Sequence, residues 1–79
     1  MDLDFKTLEQ ANELKKKIDN AEKYLRYWEN AFEIKASVKG PDFYFNTELH
    51  GDDFQMIKKS KVYYWRKELE KQRNLFKNL

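Results

Sequence analysis

The chain of 79 residues has no cysteine, one proline, two glycines and one histidine. Without thiols it has neither a disulfide staple nor a thiolate metal ligand. The two glycines, Gly40 and Gly51, stand eleven residues apart and cannot form a glycine-rich phosphate loop. The lone histidine, His50, lies in "ELHGDD" beside Glu48, Asp52 and Asp53. Catalytic zinc is normally held by three protein ligands in defined geometry, so one histidine among loop carboxylates reads as a residue beside a helix start. No apolar run approaches the roughly 20 residues needed to span a bilayer. The N-terminal "MDLDFKTLEQ" is not a basic-then-apolar signal segment. No nucleophile–base pair stands out. These absences predict a soluble, cytoplasmic protein that is not an enzyme and carries no cofactor and no metal. The start at Met1 predicts a whole small gene product.

What the chain does have is charge and aromatic rings, 38% and 16% of its residues. So much charge alone would suggest disorder, and the aromatics argue for a packed core. A single domain over 1–79 is expected, of a size that is marginal on its own. Its stability has to come from a dense aromatic core, from oligomerisation, or from both. Net charge is +2 and unevenly spread: from Asp52 onward eight bases face four acids, whereas residues 1–51 hold eight bases and ten acids.

The apolar residues are periodic. Ala11, Leu14, Ile18, Ala21, Leu25, Trp28 and Phe32 follow at alternating spacings of 3 and 4, a heptad-like stripe that predicts a helix over about 5–31. Thr7 with Gln10 fits a capping box, and Asp4 is an earlier candidate cap. Val62, Trp65, Leu69, Gln72, Phe76 and Leu79 repeat the pattern and predict a second helix over about 52–78. Phe54 and Lys58 extend that row backwards, the lysine stem lying over apolar neighbours. Asp52 with Gln55 offers its cap, and Asp53 suits a helix N-terminus. In between, Ile34, Ala36 and Val38, then Phe43, Phe45, Thr47 and Leu49, alternate with polar residues or with Tyr44. This period of two predicts a β-hairpin over about 33–49, turned at "KGPD".

The expected fold is therefore α+β and mostly α: two long antiparallel helices, coiled-coil-like, joined by a short β-hairpin. An isolated two-stranded hairpin is marginal in water, so this one is expected to sit on the helix-end aromatics. Tyr24, Trp28 and Phe32 would come level with Phe54, Tyr64 and Trp65, beneath Phe43 and Phe45. Leu8, Ala11 and Leu14 would meet Leu75, Phe76 and Leu79 at the slender open end. Two helices alone bury one seam, and the flanking Tyr24, Tyr27, Ile57 and Tyr64 exceed what it uses. They predict an interface with a second copy or with another protein. Tyr44, on the exposed face of the hairpin, is a further candidate contact.

A different reading starts from the second helix. Lys59, Tyr63, Arg66, Glu70, Arg73 and Lys77 form one outward row, with Lys67 and Lys71 close by. Bases interleaved with a tyrosine can bind phosphates, and tyrosines can stack on bases. Against this, a basic C-terminal helix face also suits the helix dipole, and Glu70 interrupts the row.

The run "LKKKIDNAEKYLRYWENAFEIKASVKG", followed by a short strand and a helix ending "LEKQRNLF", resembles small proteins encoded by bacteriophages and mobile elements, built as helix, β-hairpin and helix. The likeness spans most of the chain on generic motifs: a heptad row, a Lys/Glu-rich helix and an aromatic junction. It carries no catalytic signature. It implies a compact accessory protein acting by binding, such as an inhibitor of a host or defence protein. The leading expectation is a non-enzymatic, self-associating protein that works through protein–protein contact. The alternative is a nucleic-acid or nucleotide binder using Lys59, Tyr63, Arg66, Lys67, Arg73 and Lys77.

Overall fold

A computed structural model describes residues 5–79 of the chain. Its elements are α1 (Phe5–Glu29), β1 (Ile34–Lys39), β2 (Tyr44–Leu49) and α2 (Gly51–Lys77). The helical hairpin with an inserted β-hairpin is the expected architecture.

The ends of the elements follow from local chemistry. Thr7 lies inside α1 rather than at a cap, and Asp4, the other candidate, falls outside the described residues. At its far end α1 stops at Glu29, two residues short of the expected 31. Asn30 folds its side-chain amide back onto the Arg26 carbonyl at 2.9 Å, and the Ala31 N–H closes onto Trp28 at 3.2 Å. That tightened last turn satisfies carbonyls which a continuing helix would have used. In the hairpin, Ile34 pairs with Leu49, Ala36 with Thr47 and Val38 with Phe45. The Gly40 N–H donates to the Phe43 carbonyl at 2.9 Å across a two-residue turn, and Pro41 supplies a φ already set for its first central position. The Phe43 ring lies where a Cβ on Gly40 would stand, so this position is closed to any other residue unless the ring moves.

The start of α2 differs from the expected cap. His50 is the N-cap, with extended backbone and no side-chain cap bond. Gly51 follows at φ +60°, a left-handed conformation that glycine adopts without a Cβ penalty. Asp52 is thereby displaced from the predicted cap into the first turn, where it joins Asp53 near the positive end of the helix dipole.

The helices pack antiparallel along their apolar stripes. Ala21 is fully buried, and Phe54, Leu69 and Gln72 are nearly so. The Lys58 ammonium donates to the Ala31 carbonyl at 2.9 Å and lies over the Phe54 ring, so its stem covers the junction as expected. Two ion pairs clamp one flank of the seam: Arg73 to Glu22 at 2.8 Å and Arg66 to Glu29 at 3.0 Å.

The hairpin, however, does not cover the helix-end aromatics. Contacts run almost wholly between α1 and α2 and between β1 and β2. Phe32 is 85% exposed, and Phe43 and Phe45 stack on one another with about half of each ring in the open. The early end of α1 is the reason: Phe32 leaves the helical stripe before it can join the seam, and the strands continue outward from the helix pair. The molecule is a single layer, 60 × 27 × 14 Å, with a radius of gyration of 18.0 Å. A compact domain of this length would have about 12 Å.

Candidate interaction surface

The helical seam has two unlike flanks. On one, four rings run in series. Tyr27 meets the edge of Tyr24 at 6.0 Å, Tyr24 stacks on Trp65 at 5.1 Å, and Trp65 packs against Tyr64 at 5.0 Å. The heptad stripe explains the order. Trp65 is a seam residue of α2, and Tyr24 and Tyr64 flank the seam from opposite helices. Ring contacts of this geometry are each worth roughly 0.5–1.5 kcal/mol beyond the area they cover. The outer faces of the series remain in solvent: Tyr24 is 37%, Tyr64 48% and Tyr27 59% exposed.

Towards the open end the same flank becomes aliphatic. Leu14, Leu75 and Leu79 line a shallow cleft with Gln10, Glu13 and Lys17. Ile57, Tyr64 and Leu75 recur on α2 at intervals of 7 and 11, one side of a 3.6-residue helix. The flank therefore gathers Tyr24, Tyr27, Ile57 and Tyr64, four of the five residues expected to contact a protein.

Between the aromatic and aliphatic parts lies Gln72, in a cleft with Lys17, Asn20, Tyr64, Trp65 and Glu68. Gln72 is only 6% exposed. Its Nε2 donates to Glu68 Oε1 at 2.9 Å, but its Oε1 is buried without a hydrogen-bond partner. Leaving such an acceptor unsatisfied costs about 1–3 kcal/mol. The sequence placed Gln72 in the seam; its orphaned oxygen required the tertiary structure.

The fifth expected contact residue, Tyr44, stands apart on the polar face of the hairpin. Its hydroxyl donates to Asn46 Oδ1 at 3.1 Å, Ser37 donates to the same oxygen at 3.0 Å, and Lys39 lies over the ring. The opposite face, with Val38, Phe43 and Phe45, is the apolar one; Val38 is part-buried and the two phenylalanines are half exposed. The alternation along both strands carried that signal, but the expectation that helices would cover it hid those residues as candidates.

The other flank of the helical seam carries the basic row. Arg66 and Arg73 are engaged by Glu29 and Glu22, and Lys67 lies over Tyr63 at 5.7 Å. Lys59 lines a shallow groove with Gln55, Met56, Val62 and Tyr63, and Lys77 closes the helix. Two of the five cations proposed for phosphate binding are thus matched by carboxylates at contact distance. Near the hairpin base, His50 Nε2 lies 3.3 Å from Glu48 on the surface. Among the described residues no three potential metal ligands come together, and no helix is long and apolar enough to cross a membrane.

No protein-family profile matches the chain, and neither the curated proteins nor the solved structures contain a match to it.

Proposed function

We propose that the chain is a small, non-enzymatic binding protein that self-associates through its helical hairpin and acts through protein–protein contact. One observation carries this reading: the Tyr27–Tyr24–Trp65–Tyr64 series is packed on its inner side and open on its outer side. Aromatic side chains ordered by one another and exposed over a contiguous area are characteristic of binding surfaces, because little conformational entropy remains to be lost on contact. The face of the hairpin on which Phe43 and Phe45 are half exposed beside a part-buried Val38 is a second apolar area, suited to a partner that lies across two strands. The carboxylates of Glu29 and Glu22 beside Arg66 and Arg73 reduce the net positive charge of that face, which favours this reading over a nucleic-acid role.

Light scattering on the purified chain tests the reading. A mass above 9.7 kDa at tens of micromolar is expected, with a melting temperature that rises with concentration. A mass of 9.7 kDa with a sharp, concentration-independent melt overturns it.

A further inference from the structure

We infer that the aromatic flank is the interface of a two-fold, antiparallel dimer whose axis passes at Gln72. This rests on the self-association proposed above and specifies its partner, surface and direction.

The area of the chain favours a second copy. It exposes 6870 Å², whereas a compact monomer of its mass would expose about 5,100 Å². The surplus of about 1,700 Å² per chain is of the size that obligate homodimers bury, which total roughly 2,000–5,000 Å² over both partners. A second copy of equal shape turns the single layer into two, the minimum that encloses a core.

The direction follows from the order of side chains around Gln72. Trp65 and Tyr64 precede it on α2 by seven and eight residues; Leu75 and Leu79 follow it by three and seven. A two-fold axis at Gln72 lays the bulky aromatic half of each copy on the leucine half of the other. A parallel pairing would instead set ring against ring at one end and leucine against leucine at the other.

Gln72 stands at the turning point between the aromatic and leucine halves, at the edge of the cleft with Tyr64 and Trp65, so an axis at its level superposes each half on the other. Its Oε1 is closed off inside the α1–α2 seam and makes no contact across the interface.

The absence of native cysteine makes the test direct. Lys59→Cys and Asn74→Cys, each carrying a nitroxide on exposed positions of α2 away from Ile57 and Tyr64, report the distance between copies by pulsed electron resonance. For an axis at Gln72 the two labels at position 59 are separated along the helix by about 39 Å, and those at position 74 by about 6 Å. The expected result is a mass of twice 9.7 kDa, with the first distance longer than the second by roughly 20 Å once a lateral offset of about 20 Å is included. Tyr64→Glu should then weaken the dimer at least tenfold, and Tyr63→Glu, about 100° further round α2 in the groove with Lys59, should leave it intact. Equal distances at both positions overturn the antiparallel dimer while leaving self-association standing. A dimer indifferent to Tyr64→Glu, or a trimer or larger assembly, also overturns it. A mass of 9.7 kDa overturns both this inference and the proposed function.

Discussion

Trp65 is the residue whose removal tests the helical seam most directly. Its indole is held between Tyr24 at 5.1 Å and Tyr64 at 5.0 Å, one ring from each helix. Trp65→Ala deletes the transfer free energy of the indole, both ring contacts, and the link between α1 and α2 at that level. Truncating a fully buried aromatic to alanine costs about 3–5 kcal/mol. Because part of this ring is open to solvent, about 3 kcal/mol is expected, the low end of that range. In a domain of this size each kcal/mol moves the midpoint by roughly 4–8 °C, so the melt should fall by about 12–24 °C. Far-ultraviolet circular dichroism follows the transition, and urea titration with a constant slope confirms that stability rather than compactness changed. Trp65→Phe, which keeps a ring against Tyr24, should recover about half of the loss. A Trp65→Ala midpoint within 2–3 °C of the parent, well below the ~12 °C floor expected for a seam residue, would refute the packing described here.

Other outcomes follow from the same geometry. Gly40→Ala forces the Phe43 ring off the turn; faster amide exchange confined to the hairpin is expected, with the helices unchanged. Gly51→Ala places a Cβ at φ +60° and should cost about 1–2 kcal/mol by urea titration; because nothing crowds that site, a neutral result would mean the backbone there is not left-handed. A double-mutant cycle on Glu22 and Arg73 should return a coupling of about 0.2–1 kcal/mol that shrinks with added salt, as for other solvent-exposed pairs. Fluorescence anisotropy with labelled DNA or RNA should show no tight binding at physiological salt; tight, salt-sensitive binding would restore the basic row as the functional surface.

Much of this was legible in the chain itself, where signals were local and repeated. The 3–4 spacing from Ala11 to Trp28 and from Phe54 to Phe76 specified two helices and which stripe each presents, because side-chain direction on a helix is set by residue number alone. The alternation through Ile34–Val38 and Phe43–Leu49 did the same for the strands. The boundaries were less accessible. Asn30 and Gly51 end and start helices by a side-chain amide and a positive φ, and neither is a periodic signal.

The sequence by itself determined the elements, their order and their apolar faces, since each depends on neighbours within a few residues. Only the tertiary structure decided how those faces meet. It turned the hairpin outward and left Phe32, Phe43 and Phe45 in the open, because the direction of a chain leaving a helix is set by a few dihedral angles at the junction. It joined Tyr24 to Trp65 across 41 positions of sequence and gave Arg66 and Arg73 their carboxylates, contacts that depend on the relative shift of two helices. It also left the Gln72 oxygen buried and unpaired, because burial is a property of everything that surrounds an atom.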